Sequence, residues 1–285
     1  MSPQPMPLTH PFPTPPAVGE VITIAPGILW TRFDLPFRLN HVNVFFLRDD
    51  DGWMIMDAGI DNPETRQAWR DLCNGAMKGE RFTGLLVTHH HPDHTGLAGW
   101  LCDWLQIPMT TSQATFLSTM NFFNSPELLA ASVYSRYFRS HGMSPEHAAL
   151  VSVQGHEYMR MLSKPPFTYR RLAHGDTLRV GTRKFQVLTG DGHCPEQVML
   201  YAADVNILLA ADQVIEKISP NISVMAFEPE GNPLGAFLDS LRQLSDQIPA
   251  DALVLAGHRL PFVGLHQRCA ELIAGGVCIT PSTTL

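Results

Sequence analysis

Short apolar or alternating runs, separated by turn residues, fill the first part of the chain. They occupy residues 21–25, 28–33, 42–47 and 53–56, and Pro26-Gly27 and Asp49-Asp50-Asp51-Gly52 lie between them. Runs of this length with Gly, Pro and Asp between them are typical of strands joined by hairpins. The pattern therefore predicts an antiparallel meander.

Beyond the meander, strand-like and helix-like segments alternate. Asn62-Pro63-Glu64 indicates a helix N-cap followed by proline, and this helix is expected to extend to about Met77. The next expected elements are a strand at 85–87, a helix at 96–102, a strand at 107–110 and a helix from about Ser112. This order predicts an α/β fold, in which binding groups gather at the carboxyl ends of strands.

Residues 121–165 interrupt the alternation with a largely helical segment bounded by prolines. Ser144-Pro145-Glu146 indicates a helix start within it. We expect two or three inserted helices. Two interpretations stay open: a lid whose apolar side chains, such as Tyr134 and Phe138, contact a substrate, or structural or dimer-forming packing.

The second half of the chain repeats the order of the first. Strands are expected at 177–180, 184–188, 198–202 and 207–210, then a helix from Asn232-Pro233 to about Leu244 and a strand at 252–255. The chain is thus β-rich, α, β-rich and α. This order is consistent with two similar halves packed against each other.

Composition narrows the class of protein. We interpret residues 1–19 as a proline-rich surface arm without the features of a secretory signal, and residues 20–285 as one domain containing the insertion. No apolar run is long enough to predict a membrane span. A net charge of −7 argues against nucleic acid as a partner. Five cysteines without a CxxC pair favour a reducing, cytoplasmic location.

One stretch, Thr88 to Gly96, carries the clearest chemistry. It follows an apolar strand and reads Thr-His-His-His-Pro-Asp-His-Thr-Gly. His89 and His91 alternate, so an extended backbone can direct both imidazoles at one ion. Asp93 and His94 follow where a helix should start and can turn towards a second ion. The spacing predicts a binuclear centre, and mixed imidazole and carboxylate ligands suit zinc, iron and related metals.

Three further candidate ligands each lie just past a predicted strand. They are His193 in Gly192-His193-Cys194-Pro195, Asp212 in Ala211-Asp212-Gln213, and His258 in Ala256-Gly257-His258. A single histidine is more often structural than a ligand. Three strand ends that each finish in His or Asp repeat the arrangement of the first motif.

His89-x-His91-x-Asp93-His94 resembles the signature of the metallo-β-lactamase superfamily of hydrolases, and the downstream motifs resemble its glyoxalase II-like, lactamase-B-type branch. Glu196 departs from the glycine common in glyoxalase II. The resemblance implies a four-layer αββα sandwich. It also implies a ligand set: His89, His91 and His193 for one ion; Asp93, His94 and His258 for the other; and Asp212 as the bridge.

Four residues outside this ligand set also have expected positions or roles. Asp57, in an Asp-x-Gly after an early strand, is expected to accept hydrogen bonds from the histidine loop. His90 should point away from the ligands in extended backbone. Cys194 is not expected to be a ligand, because that position in the family is usually a small polar residue. His266 joins Tyr134 and Phe138 as a candidate substrate contact.

The resemblance implies a hydrolase in which a hydroxide bridged by two ions, most simply zinc but alternatively iron or manganese, attacks an ester-like bond. Asp93 and Asp212 would accept its hydrogen bonds or its proton. A small substrate with an apolar part is expected, such as a thioester or lactone, and a homodimer is an open alternative. The competing functions are a phosphodiesterase or ribonuclease and a mononuclear iron sulfur dioxygenase.

Overall fold

A computed structural model describes residues 8–125 and 132–277. Its first sheet has seven strands in chain order. They are β1 (Ile22–Ala25), β2 (Ile28–Asp34), β3 (His41–Asp49), β4 (Gly52–Met56), β5 (Phe82–Leu86), β6 (Met109–Thr111) and β7 (Arg170–Arg171). Strands β1 to β4 pair antiparallel, as the meander predicts, whereas β4 to β7 pair parallel.

The second sheet has six strands in the order β13-β12-β11-β10-β9-β8. They are β8 (Thr177–Val180), β9 (Arg183–Gly190), β10 (Gln197–Ala202), β11 (Ile207–Ala211), β12 (Leu253–Ala256) and β13 (Phe262–Val263). Neighbours pair antiparallel except β11 and β12, which are parallel. As a result β9, β11 and β12 run in the same direction and end at the same edge.

Eight helices lie in the described part of the chain. They are α1 (Pro63–Asn74), α2 (Pro92–Thr95), α3 (Ala98–Leu105), α4 (Gln113–Asn124), α5 (Ser132–Ser140), α6 (Pro145–Met159), α7 (Pro233–Gln247) and α8 (Leu265–Val277). Side chains of Asn62, Ser112 and Ser144 accept hydrogen bonds from backbone N–H groups of the first turns of α1, α4 and α6. The expected helix at 96–102 is α3, which begins two residues later and extends to Leu105, and the short helix α2 precedes it within the histidine stretch.

Three apolar layers show how the elements stack. Trp69 and Leu101, from α1 and α3, pack against the outer face of the first sheet. Phe45 and Phe185 belong to the layer between the two sheets, and Leu241 of α7 belongs to the layer outside the second sheet. Strand alternation supplies each face: Val44 and Phe46 point outward from β3, whereas Phe45 and Leu47 point inward. The predicted αββα sandwich is confirmed.

The insertion and the arm both contact this sandwich. The described part of 121–165 consists of the end of α4, the helices α5 and α6, and the segment that follows them; residues 126–131 lie outside the described residues. Ser163 N donates to Gly96 O at 2.7 Å, which attaches the end of the insertion to the histidine stretch. From the arm, Phe12 packs against the layer between the sheets; residues 1–7 and 278–285 lie outside the described chain. No helix among the described residues is long and apolar enough to cross a membrane.

Candidate metal centre

The histidines and aspartates of the predicted ligand set lie where strands of both sheets end. The histidine stretch follows β5, His193 follows β9, Asp212 follows β11 and His258 follows β12. Two backbone hydrogen bonds join the sheets at this edge: Val198 N to Thr88 O at 2.8 Å, and Asn43 N to Gly257 O at 2.7 Å. The structure therefore brings seven side chains from four strand ends into one cluster, in which all but His91 and His193 are buried.

Glycine is required at one of these strand ends. A Cβ atom on Gly257 would overlap with Asp212 Oδ1 and His94 Cε1. The backbone beside His258 therefore approaches the other ligands more closely than any side chain would allow. This close approach is the physical reason for a Gly-His pair at the end of β12.

Three imidazoles form the first group of potential ligand atoms. His89 Nε2 lies 3.1 Å from His91 Nδ1, which lies 3.0 Å from His193 Nε2, and the two Nε2 atoms are 3.4 Å apart. Tetrahedral coordination with metal–nitrogen bonds of about 2.1 Å separates ligand nitrogens by about 3.4 Å. The spacing of the three nitrogens is close to that value.

The hydrogen bonds of the Nδ1 atoms show which nitrogen of a histidine ring carries the hydrogen. His193 Nδ1 lies 2.8 Å from Asn221 O and His258 Nδ1 lies 2.7 Å from His41 O. A backbone carbonyl only accepts, so each Nδ1 carries a hydrogen, and in the neutral ring of His193 the Nε2 atom presents a lone pair. The His193 lone pair is directed at His89 Nε2 at 3.4 Å, a place where a cation could accept it.

Asp93, His94 and His258 form the second group, and Asp212 joins the two. His258 Nε2 lies 3.3 Å from Asp93 Oδ2 and 3.1 Å from Asp212 Oδ2. Asp212 Oδ2 is also 3.7 Å from His193 Nε2, in the first group. His94 Nε2 lies 3.5 Å from Asp212 Oδ1. Asp212 thus lies between the two groups, with Oδ2 within 3.7 Å of a histidine nitrogen of each.

Asp57 accepts three hydrogen bonds behind these groups. Its Oδ1 accepts from Thr88 N at 2.8 Å, and its Oδ2 accepts from Thr88 Oγ1 at 3.0 Å and from His94 Nδ1 at 2.8 Å. The carboxylate therefore fixes both the start of the histidine stretch and the orientation of the His94 ring. Asp57, Ala211 and Arg259 each have a positive φ, and such strained backbone clusters at functional sites.

The histidines of the first group are neutral, whereas the histidines of the second group and the two aspartates favour their charged forms. Burial lowers the pKa values of His89, His91 and His193, so these rings are neutral. Burial also disfavours charge on His94 and His258, but the nearby carboxylates of Asp212 and Asp93 raise both pKa values, that of His258 to about 9. In return, the histidines hold the pKa values of both aspartates below their usual range despite burial.

The residues fit divalent metal ions. His94 Nε2 and Asp212 Oδ1 are buried and make no hydrogen bond among the described residues, although they face each other. Buried polar atoms without partners are costly unless an ion or water satisfies them. Imidazole and carboxylate donors in two adjoining groups match the preferences of zinc, iron and manganese.

Two neighbours of the ligands lie outside the predicted ligand set. His90 stacks on Phe122, with ring centroids 5.5 Å apart, and does not belong to either group. Cys194 is buried with Sγ at 3.6 Å from His91 Nδ1, so it lies within reach of the first group. Burial, reinforced by Asp212 and Asp93, raises the pKa of its thiol well above 9.

Tyr158 is a site residue that the sequence did not reveal. Near the end of α6, its hydroxyl donates to Asp93 Oδ1 at 2.5 Å. Burial, together with the Asp93 charge, raises the pKa of this hydroxyl well above 10, so it remains a donor. No motif spacing could identify a contact between residues 65 positions apart.

The three predicted substrate contacts lie on two helices, Tyr134 and Phe138 on α5 and His266 on α8. Tyr134 is buried on α5, with its ring 6.4 Å from that of Phe138, and the helix packs on α6. His266 Nε2 bonds to Ile248 O at 2.8 Å. Since Val263 pairs with the first residue of β12, His266 lies at the opposite end of that strand from His258. The structure therefore does not bring His266 to the cluster, and its predicted substrate contact is withdrawn.

Comparison with known proteins identifies the family. The model of the metallo-β-lactamase superfamily matches residues 38–258, so the chain belongs to that superfamily. A β-lactamase domain protein from Burkholderia ambifaria is 36% identical, with a TM-score of 0.80 over 94% of this chain and 80% of that chain. The metallo-β-lactamase family protein TTHA1429 from Thermus thermophilus is 28% identical, with a TM-score of 0.74 over 89% and 80% of the two chains.

A relative found by sequence adds a description. Probable metallo-hydrolase YqjP from Bacillus subtilis strain 168 is 22% identical over 253 residues, which cover 84% of this chain and 73% of that protein. The superfamily consists predominantly of hydrolytic metalloenzymes that use divalent metals, and this chain has the corresponding His and Asp groups. The glyoxalase II-like branch stays a prediction.

Proposed function

We propose that the protein is a binuclear metal-dependent hydrolase of ester-like bonds, such as those of thioesters, lactones or related acyl compounds. The observation that carries this proposal is the pair of adjoining ligand groups joined by Asp212. One group presents three neutral imidazoles, and the other combines two imidazoles with Asp93. A single ion would use only part of this set.

The side chains of the cluster would have different roles in hydrolysis. Two divalent ions, when bound, supply an activated water and stabilise the oxyanion that develops at the attacked carbonyl. Asp93 and Asp212 each present an oxygen to the cluster, where they can orient that water by accepting a hydrogen bond and take up its proton. Tyr158 holds the other oxygen of Asp93. No serine or cysteine nucleophile is needed.

A small substrate with an apolar part fits the surroundings of the cluster. Phe37, between β2 and β3, has an exposed fraction of 37% and makes an edge-to-face contact with Tyr158 at 5.6 Å. An exposed aromatic ring beside the polar groups of a site is a common way to hold the apolar part of a ligand. The net charge of −7 supports a small molecule over a nucleic acid. Cytoplasmic location and a homodimer stay predictions.

The proposal can be tested with two measurements on the purified chain. Elemental analysis after loading with zinc or manganese should give close to two ions per chain. The loaded protein is then assayed against thioesters, lactones, β-lactams and bis(p-nitrophenyl) phosphate. Hydrolysis of a thioester or lactone that chelators abolish and added metal restores is the expected result.

One control variant and two alternative outcomes accompany these measurements. His141→Ala removes an exposed imidazole of the insertion and should leave the metal content at two ions. Saturation at one ion, with iron preferred and oxygen consumed, would replace the hydrolase with the sulfur dioxygenase alternative. Cleavage of the phosphodiester alone would favour the phosphodiesterase.

A further inference from the structure

The two oxygens of Asp93 have different partners. Oδ2 faces the second group, 3.3 Å from His258 Nε2 and 3.6 Å from His94 Nε2. Oδ1 accepts the hydrogen bond from the Tyr158 hydroxyl. The carboxylate plane is therefore fixed by a donor on one oxygen, and the other oxygen is directed at the place where an ion would bind.

Tyr158 is itself held from several directions. Its ring contacts Phe37 edge-to-face at 5.6 Å and lies 6.3 Å from the ring of His91. Three residues later, Met161 O accepts a hydrogen bond from Asp61 N at 3.0 Å. The segment after α6 is thus attached to the loop that follows Asp57, and the position of the Tyr158 hydroxyl depends on how α6 is seated.

Helix α6 contacts both α5 and the cluster. Helix α6 packs mainly on α5, and its Leu150 and Val153 side chains are exposed to solvent. Ala148 of α6 is buried, and Met161, just after the helix, packs against the apolar layer outside the first sheet. The charge-assisted hydrogen bond from Tyr158 to the buried Asp93 carboxylate links α6 directly to the cluster.

We propose that Tyr158 is a positioning residue that fixes Asp93 for the second ion and couples the seating of α6 to metal binding. This inference rests on the proposed binuclear function. A fixed carboxylate loses less rotational freedom when an ion binds. Because coupling between two binding events is reciprocal, an ion that holds Asp93 in place must also favour the seated position of α6.

Tyr158→Phe tests the first half of the proposal, since it removes the hydroxyl and keeps the ring that packs on Phe37. Zinc affinities are measured by competition with a chromophoric chelator. The affinity of the second site should fall about 10- to 100-fold, the usual effect of removing a group that orients a ligand, with the first site unchanged. Tyr137→Phe removes a hydroxyl from α5 and should change neither affinity.

Amide hydrogen exchange tests the second half on the wild-type protein. Exchange across α6 should slow when two zinc ions are bound, and Tyr158→Phe should lose most of this protection. Equal zinc affinities in wild type and Tyr158→Phe, or α6 exchange that does not respond to zinc in the wild type, would overturn the proposal. A wild-type protein that binds fewer than two ions would instead contradict the binuclear function itself.

Discussion

His258→Ala gives the sharpest test of the cluster, because His258 contacts both aspartates. Its Nε2 lies 3.1 Å from Asp212 Oδ2 and 3.3 Å from Asp93 Oδ2. Alanine removes one nitrogen of the second group and leaves His89, His91 and His193 of the first group intact. Loss of a ligand should weaken the second site by more than the roughly 10- to 100-fold typical of an orienting residue.

The expected metal content of this variant is close to one ion per chain, against two for the wild type. Elemental analysis after dialysis against buffered zinc measures it, and His141→Ala serves as the control. If His258→Ala kept two ions, His258 would not be a ligand. If it kept none, the two groups would not be separable sites.

The same variant makes a second prediction for the metal-free protein. Burial alone would lower the pKa of His258, but Asp212 and Asp93 raise it from 6.5 to about 9. A shift of this size corresponds to about 3 kcal/mol of interaction favouring the protonated ring. This contribution to the free energy of unfolding is fully present below the unfolded pKa of 6.5 and is lost as the pH rises through 9.

Urea unfolding of the chelator-treated proteins measures this dependence. At about pH 6 the free energy of unfolding of His258→Ala should be lower than that of wild type by about 3 kcal/mol more than it is at about pH 10. Lost packing and the lost bond to His41 O affect both pH values equally. A difference between the proteins that did not change with pH would refute the charge argument.

Other substitutions test the remaining parts of the site. Asp212→Ala should reduce turnover by orders of magnitude while the circular dichroism spectrum stays native; turnover within a few-fold of wild type would exclude a bridging role. Asp57→Asn removes the charge that orients His94 and should weaken metal binding about 10- to 100-fold by chelator competition, while an unchanged affinity would reduce Asp57 to packing. Tyr134→Ala with Phe138→Ala should slow hydrolysis of long-chain acyl substrates about tenfold more than short-chain ones if α5 lines the acyl pocket; equal effects would indicate a structural role for both rings.

Local sequence was sufficient to predict most helices and strands and the candidate ligands of the cluster. Each of three helices begins after a capping side chain that the sequence shows directly, namely Asn62, Ser112 and Ser144. A cap can be recognised from sequence because it acts on N–H groups only two or three residues away. Strand periodicity likewise located the strand ends, and each predicted ligand follows one. His89, His91, Asp93 and His94 could be grouped from spacing alone, since the chain itself brings them together.

Only the tertiary structure decided which atoms meet. Tyr158 reaches Asp93 because α6 returns to the histidine stretch, and no spacing records a return across 65 residues. Cys194 approaches His91 because β5 and β9 end at the same edge of the sandwich, whereas His266, which follows β13, lies at the far end of β12. Periodicity and caps act within a few residues, so sequence determines the elements and the ligands they carry. The pairing of strands and the packing of the two sheets determine which side chains face each other across the cluster.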